Sequence, residues 1–303
     1  MLGIAFSANA GGIATVIGTP PNSVLIGLLE NQYQIEISFL KWMSFGLPFS
    51  IIMVALVYLV LVKWMFPCND IQFTSSSNLI SDELKKLGKI SKDEKRVLTI
   101  FAVTVFLWVT RTIINKIFPG LKLSDTVISL MAAVSLFSVP LHLKKGTYVL
   151  KWDDTQKLAW GILILFGGGL ALAKGMASSG LVAVITNTIA AGNFNPVLTV
   201  SLLIVLMLFM TELMSNVALI SVLAPVVAGI AIGLNIPVLN VLIPVTMASS
   251  CAFMLPMATP PNAIVFASGY VKVSQMVKAG VILNVFAVVL LILYYMFVLP
   301  FFL

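Results

Sequence analysis

Two segments of this chain, SANAGGIATVIGTPPN at residues 7–22 and MASSCAFMLPMATPPN at residues 247–262, align with each other without a gap. Each begins with small and hydroxyl-bearing residues, reaches Thr-Pro-Pro-Asn, and continues into a renewed apolar run. A proline pair removes two backbone N–H donors and disrupts the preceding helical turn. The repeat therefore predicts two helices that are each interrupted near the Thr-Pro-Pro-Asn turn.

The sequence around these segments is strongly apolar. Hydrophobic residues make up 60% of the chain and charged residues 10%, and the mean hydropathy is +1.08. Such values are typical of membrane proteins and exclude an ordinary water-soluble domain. The net charge of +7 could indicate nucleic acid binding in a soluble chain, but here Lys and Arg lie in short loops, where they set membrane orientation. We predict an all-α, multi-pass protein of a cell membrane with no nucleic acid partner.

Apolar runs predict where the chain crosses the bilayer. The runs cover residues 45–65, 97–114, 127–143, 160–173, 196–214, 217–232, 238–255 and 281–299. Residues 67–96 are polar and charged, which predicts a cytoplasmic amphipathic connection. The polar stretch 211–216 fits either a hairpin or two full spans. We interpret residues 1–303 as a single transmembrane domain.

The pair of broken helices also bears on function. Carbonyl groups freed in the middle of a membrane are costly unless an ion, water or a protein group binds them. An unwound segment at this depth therefore predicts a lined cavity. Corresponding broken helices in two halves of a chain are typical of secondary transporters, whose site lies at the repeat interface. The predicted fold is a transporter with inverted repeats, discontinuous helices and a re-entrant hairpin.

The Thr-Pro-Pro-Asn pair, with Ser215-Asn216 between its members, resembles the divalent anion/sodium symporter family of dicarboxylate, citrate and sulfate carriers. The similarity runs through essentially the whole chain. In that family each repeat has a re-entrant hairpin ending in Ser-Asn-Thr, followed by a discontinuous helix with the Thr-Pro-Pro-Asn turn. Only the second hairpin motif is present here. The resemblance therefore predicts an N-terminally incomplete chain, which by itself would transport little or nothing.

The resemblance implies two sodium sites and one substrate site. The sodium ligands that it implies are Ser7, Gly11 and the loop up to Asn22 in the first site, and Thr211, Met214, Asn216 and Ala258 in the second. The residues that it places at the substrate carboxylates are Ser215, Asn216 and Pro260. This chain has Val217 where the family motif has threonine, so one hydroxyl at the substrate is missing. The resemblance further implies a homodimer in the lipid bilayer of a bacterial inner membrane.

The residues by themselves suggest the same ion chemistry. Neither motif segment contains Arg, Lys or His to neutralise a bound anion. Sodium ions held by freed carbonyls and by Ser, Thr and Asn oxygens would supply the positive charge, without a further cofactor. Half-helix N-termini and asparagine amides would donate to the anion, which adds Thr259, Asn22 and Asn262 to the predicted substrate contacts. Cooperative binding of ion and anion would couple their transport.

Several alternatives stay open at this point. Glu212 is costly inside a membrane, and it either acts directly in function or supports a hairpin tip through hydrogen bonds. An enzyme is disfavoured because His142 is the sole histidine and no His/Cys cluster occurs, so no catalytic residue is predicted. A passive channel, or an arsenite or sodium/proton exchanger, would also use broken helices. The preferred function is sodium-coupled symport of small di- or tricarboxylates, or sulfate, by alternating access.

Overall fold

Both Thr-Pro-Pro-Asn segments interrupt a helix in the computed structural model, which describes residues 1–67, 81–82, 85–142, 147–158, 160–192 and 194–302. The helices in chain order are α1 (Leu2–Gly12), α2 (Pro20–Tyr33), α3 (Phe39–Tyr58, extended by a π-helix at Leu59–Met65), α4 (Lys92–Ile117), α5 (Asp125–Ser138), α6 (Trp160–Ser178), α7 (Leu181–Ala191), α8 (Pro196–Met210), α9 (Asn216–Gly233), α10 (Val238–Ser249), α11 (Pro260–Ala267), α12 (Val273–Leu293, extended by a π-helix at Tyr294–Val298) and α13 (Leu299–Phe302). A short antiparallel ladder joins β1 (Pro140–His142) to β2 (Thr147–Tyr148), and a 3-10 helix follows at Trp152–Lys157. The predominance of helix confirms the predicted all-α class.

Four helices in the described part of the chain are long and apolar enough to cross a membrane. They are Phe39–Met65, Lys92–Ile117, Asn216–Gly233 and Val273–Phe301. Gly167–Ser178 and Leu181–Ala191, which meet at an angle of 62°, are long and apolar enough only when taken together, and they make a fifth span if the bent pair crosses as one. These helices confirm the prediction of a multi-pass membrane protein.

Two apolar runs differ from their predicted extent. The run at 127–143 forms only the 14-residue helix α5, because Pro140 begins a strand and the chain turns back. The run at 160–173 continues to Ser178 and is followed by α7, a helix that the sequence did not reveal. Gly180 separates the two helices with a φ of 78°, a conformation that glycine adopts without steric cost. A bent helix pair therefore precedes α8.

The chain comprises two compact units. This division does not test whether residues 1–303 form a single transmembrane domain, which stays a prediction. The first unit contains Met1–Ile37, Lys41–Pro67 and Trp160–Leu303, and so both repeats. Within it the first half of each broken helix packs on the second half of the other: α1 contacts α11, and α10 contacts α2. Helix α9 packs against α6 and α7 and also contacts α2 and α10. The two breaks thereby come together around the start of α9.

The second unit consists of Ser38–Leu40 and Cys68–Ala159. Helix α4 begins at a capping box, in which the Ser91 side chain and the Glu94 side chain each accept the other's backbone N–H. The Trp108 ring Nε1 donates to the Asp125 carbonyl oxygen at 3.2 Å, which ties α4 to α5. Residues 68–80 and 83–84 of the predicted connection at 67–96 lie outside the described residues, so that connection stays a prediction.

The repeat extends beyond the segments that are visible in the sequence. Helices α3 and α12, which follow the two broken helices, are buried at matching positions 234 residues apart, since Gly46 corresponds to Gly280 (280 − 46 = 234). Nine buried positions match, namely 42, 45, 46, 49, 50, 53, 57, 60 and 61 in the first repeat and 276, 279, 280, 283, 284, 287, 291, 294 and 295 in the second, whereas Phe39 is buried and its counterpart Val273 is exposed. Both helices also end in a π-helix over this register. Each repeat therefore has three elements: two half-helices and a full helix.

Candidate functional site

Each break lies upstream of its proline pair. Helix α1 ends at Gly12 and α10 at Ser249, well before the prolines, which instead begin α2 and α11. Proline suits the first position of a helix because its missing N–H has no intrahelical partner there and its φ is already helical. Thr19 and Thr259 precede the prolines with nearly the same extended backbone, at φ −145° and −143°. The prolines thus start the second half-helix rather than kink a continuous one.

Asn22 and Asn262 brace the two breaks in the same way. The Asn22 side-chain Nδ2 donates to the Thr15 carbonyl oxygen at 2.9 Å, and Asn262 Nδ2 donates to the Leu255 carbonyl oxygen at 3.1 Å, in each case seven residues back. Both asparagines are fully buried. Neither contributes to the wall of the cavity described below. The structure therefore gives both a bracing contact, whereas the sequence analysis predicted a substrate contact.

Protein side chains also bind several other carbonyl groups at the breaks. In the first repeat, Ser50 Oγ donates to the Ala10 carbonyl oxygen at 2.8 Å and Trp42 Nε1 donates to the Ile13 carbonyl oxygen at 3.0 Å, both from α3. In the second repeat, Ala252 O accepts from two asparagine amides, Asn9 Nδ2 at 3.0 Å and Asn262 Nδ2 at 3.1 Å. These contacts offset the cost of unwound backbone in an apolar interior.

Direct contacts join the two repeats at their breaks. Asn9 Nδ2 in α1 lies 3.1 Å from Asn262 Oδ1 in α11, and the Ser250 and Thr19 hydroxyl oxygens lie 3.4 Å apart. The Phe6 and Phe253 rings meet edge to face with centroids 5.4 Å apart. The two Thr-Pro-Pro-Asn turns are therefore neighbours in space, although 240 residues separate them (259 − 19 = 240).

A cavity of about 560 Å³ lies between the two turns and the loop that joins α8 to α9. Its wall includes Gly18, Thr19, Pro20 and Pro21 from the first turn, Ser215, Asn216 and Val217 from the loop and the start of α9, and Ala258, Thr259, Pro260 and Pro261 from the second turn. Asn9 and Ser250 complete its polar surface. None of the lining residues in the described part of the chain carries a charged side chain. Three helices, α2, α9 and α11, begin at this wall.

The structure brings together part of the predicted second sodium site. Asn216 and Ala258 share the cavity wall, while Thr211 is fully buried beside it. The Thr211 hydroxyl oxygen lies 2.5 Å from Asn216 Oδ1 and 2.7 Å from the Ser249 carbonyl oxygen. Because a hydroxyl has one proton, it can donate to only one of these oxygens at a time.

The other predicted ligands lie elsewhere. The Met214 side chain is exposed, at 47% of its surface. Ser7 and Gly11 of the predicted first sodium site lie in α1 and do not line the cavity, whereas their neighbours Ala8, Asn9 and Gly12 do. The substrate contacts predicted at Ser215, Asn216, Thr259 and Pro260 all line the cavity.

Sequence reasoning assigned no role to two residues at this site, Asn9 and Ser250. Both lie within the repeated segments, but their partners are 253 and 231 positions away in the chain. The one available signal was that both are polar residues in apolar surroundings.

Two repeats of broken helices around one cavity without charged residues in its described lining are the arrangement typical of secondary transporters. Residues 1–301 match the family described as the sodium:sulfate symporter transmembrane region, and the chain belongs to this family. The family membership predicted from the Thr-Pro-Pro-Asn pair is thereby confirmed.

Similar proteins include the sodium-dependent dicarboxylate transporter SdcS of Staphylococcus saprophyticus, which is 35% identical over 303 residues. SdcS of Staphylococcus aureus strain USA300 is 35% identical over 304 residues. Each match covers 99% of this chain and 58% of the relative. The chain therefore spans little more than half the length of these relatives.

Proposed function

We propose that this chain forms the ion-binding and substrate-binding part of a sodium-coupled symporter for small dicarboxylates. Membership of the sodium:sulfate symporter family supports this function, and so do the relatives named sodium-dependent dicarboxylate transporters. The observation that carries the proposal is the cavity itself, because its wall contains both Thr-Pro-Pro turns and the Ser215-Asn216 loop. Tricarboxylates and sulfate are further candidate substrates of the same cavity.

The proposed sodium ligands are Thr211, Asn216 and Ala258, with Met214 in the same loop. The Thr211 hydroxyl oxygen lies 2.5 Å from Asn216 Oδ1 and 2.7 Å from the Ser249 carbonyl oxygen. One hydroxyl proton cannot satisfy both acceptors, so a cation would stabilise this group of oxygens. Hard cations prefer oxygen ligands of this kind. For a first sodium site, Ser7 and Gly11 stay a prediction of the resemblance.

The proposed substrate contacts are Ser215, Asn216, Thr259 and Pro260. Helices α2, α9 and α11 begin at the cavity wall, and the partial positive charge of a helix N-terminus favours an anion. A bound cation at Asn216 would add a full positive charge beside the anion. We assign Asn22 and Asn262 to bracing the wall rather than to contact with the substrate.

Shared use of Asn216 would couple the two ligands. A sodium ion on Asn216 Oδ1 fixes the amide, which orients its N–H groups toward the anion, so each ligand would strengthen binding of the other. This cooperativity lets a sodium gradient drive accumulation of the anion. Alternating access would carry the loaded cavity from one side of the membrane to the other.

The test is uptake of radiolabelled succinate into liposomes that contain this chain within a reconstructed full-length transporter, with and without an inward sodium gradient. We expect uptake only with the gradient. Thr211→Ala and Asn216→Ala should raise the sodium concentration for half-maximal uptake about tenfold or more, since each removes a ligand oxygen. Asn187→Ala, at an exposed position in α7, is the matched control and should leave uptake unchanged.

Three results would contradict the proposal. Uptake that ignores the sodium gradient would indicate a channel, and a pH-driven ion flux without anion uptake would indicate an exchanger. Unchanged sodium dependence in Thr211→Ala and Asn216→Ala would reject the sodium site. Assembly into a homodimer stays a prediction of the family resemblance.

A further inference from the structure

Glu212 lies in the loop between α8 and α9, and only 2% of it is exposed. Its carboxylate accepts hydrogen bonds from three consecutive backbone N–H groups of the second break. Oε1 accepts from Phe253 N at 2.9 Å and Met254 N at 3.0 Å, and Oε2 accepts from Met254 N at 3.1 Å and Leu255 N at 3.1 Å. Asn284 Nδ2 of α12 donates to Oε1 at 2.8 Å. The charge is thus surrounded by donors.

These donors are available because the helix has ended. Helix α10 ends at Ser249, so the N–H groups of residues 253–255 have no place in a helical ladder. Successive N–H groups of unwound backbone form a concave anion site, and here the protein's own carboxylate occupies it. A buried carboxylate without such donors would be very costly. Glu212 and the second break therefore depend on each other.

The same loop also contacts the start of the break. Thr211, next to Glu212, has its hydroxyl oxygen 2.7 Å from the Ser249 carbonyl oxygen. Two adjacent side chains of the loop thus hold the break at Ser249 and at residues 253–255. The break ends at Ala258 and Thr259, which form the cavity wall. A displacement of the loop would consequently reach that wall through the backbone.

The first break is held differently. Its carbonyl groups at Ala10 and Ile13 accept from Ser50 and Trp42, which belong to α3. In the register of the two repeats Ser50 corresponds to Asn284 (284 − 50 = 234), yet Ser50 contacts the break directly whereas Asn284 contacts it through Glu212. Among the described residues, the hydrogen bonds from the loop that carries Asn216 reach the second break and not the first.

We propose that Glu212 is a positioning residue that fastens the second break to the sodium-binding loop, so that sodium at Thr211 and Asn216 sets the position of the wall at Ala258 and Thr259. The inference rests on the proposed function for its meaning in transport. The fastening itself is a property of the folded chain and can be measured separately.

The first measurement is hydrogen exchange of the Phe253, Met254 and Leu255 amides in detergent-solubilised protein, in sodium chloride and in choline chloride. We expect sodium to slow their exchange several-fold in the unsubstituted protein. In Glu212→Gln, exchange should be about tenfold faster or more and indifferent to sodium, because the amide keeps one acceptor and turns an NH2 toward backbone N–H groups. Glu212→Asp, which keeps both oxygens, should restore part of the protection.

The second measurement is the sodium concentration for half-maximal succinate uptake in liposomes. Glu212→Gln should raise it about tenfold or more, and Asn284→Ala should raise it less, since one donor is lost while the charge remains. Ser50→Ala weakens the first break and is expected to lower thermal stability, while sodium should still slow the exchange of the amides at residues 253–255. Glu30→Gln makes the same chemical change at an exposed position. It should change neither the amide exchange at residues 253–255 nor the sodium concentration for half-maximal uptake.

The outcomes separate this inference from the proposed function. If the unsubstituted protein shows no sodium-dependent uptake but sodium still slows exchange at residues 253–255, transport fails and the fastening stands. If sodium leaves that exchange unchanged, or if Glu212→Gln exchanges as the unsubstituted protein does, the fastening is overturned. Should Glu212→Gln not fold, the same comparison is made with Asn284→Ala and Glu212→Asp.

Discussion

At the scale of single residues, the two repeats place asparagine at the same position but bond it differently. Asn262 donates to Ala252 O and Leu255 O and accepts from Asn9, with all three distances at 3.1 Å. Asn22 donates only to Thr15 O, and its Oδ1 has no hydrogen-bond partner in the described part of the chain. The position that corresponds to Asn9 is Ser249 (249 − 9 = 240), whose hydroxyl donates to the Thr246 carbonyl oxygen instead. Asn22 and Asn262 are therefore equivalent in the sequence repeat, but they differ in the number of hydrogen bonds through which they stabilise the fold.

We predict that Asn262→Ala destabilises the protein more than Asn22→Ala does. Loss of Asn262 leaves Ala252 O and Leu255 O each with one donor fewer and the Asn9 amide with one acceptor fewer, a cost of roughly 2 kcal/mol or more in the free energy of unfolding. Loss of Asn22 removes one bond and should cost roughly 1 kcal/mol. Denaturation of the detergent-solubilised variants measures both, with the exposed Asn187→Ala as control. Equal losses would show that the contact with Asn9 contributes nothing.

At the scale of elements, the full helix that follows each break packs a glycine against the unwound backbone. A Cβ on Gly46 of α3 would lie 2.8 Å from the Ile13 carbonyl oxygen, and one on Gly280 of α12 would clash with the Phe253 carbonyl oxygen. Ile13 and Phe253 are themselves equivalent (253 − 13 = 240). Glycine at both positions allows close approach of helix and break, so the third element of each repeat supports the break.

We expect Gly46→Ala and Gly280→Ala to lower the free energy of unfolding by about 1–3 kcal/mol, because the added methyl group overpacks against backbone that cannot move aside. Gly280→Ala should cost more, because its three nearest atoms are all backbone atoms of Phe253 and Met254. Gly175→Ala in α6 is the control, since a Cβ there meets nothing within 4 Å. If Gly280→Ala proves as stable as Gly175→Ala, the close packing of α12 on the break is wrong.

At the scale of the whole molecule, the first unit folds so that the two turns share one cavity. The Thr19 and Ser250 hydroxyl oxygens lie 3.4 Å apart across the interface of the repeats. The loop between α8 and α9 lies at the same cavity and connects to the second break through Thr211 and Glu212. This packing places side-chain oxygens and the N-termini of three helices around one cavity, which no single helix could do.

A disulfide can test this arrangement directly. In a background of Cys68→Ser and Cys251→Ala, we expect Thr19→Cys together with Ser250→Cys to form an intramolecular disulfide under mild oxidation, because the two hydroxyl oxygens that they replace lie 3.4 Å apart. Mass spectrometry of the intact and digested protein would detect it, with each single cysteine variant as control. Cross-linking should also stop succinate uptake until the bond is reduced. Absence of the cross-link would mean that the two turns are remote from each other, and the site would be lost with it.

The sequence predicted the broken helices and the family, and four of its candidate substrate contacts, Ser215, Asn216, Thr259 and Pro260, line the cavity. The Thr-Pro-Pro-Asn pair located the starts of α2 and α11, because proline acts on its own helix turn. The lengths of helices that end where they meet other elements could not be predicted from the sequence. Helix α5 ends early, at Ser138, and α7 is a separate helix. Asn22 and Asn262 were predicted at the substrate, yet the structure gives them backbone partners seven residues back. For Glu212, the structure shows hydrogen bonds that support the loop, one of the two open interpretations.

By itself, the sequence determined that this is an all-helical, multi-pass membrane protein with two breaks of one kind, because hydropathy and proline chemistry act over a few neighbouring residues. Only the tertiary structure decided which polar groups of the breaks are bound by the protein and which face the cavity. The physical reason is distance along the chain: Asn9 reaches Ala252 across 243 residues and Glu212 reaches Asn284 across 72. Such pairings form only when packing brings the segments together, and no local pattern encodes them.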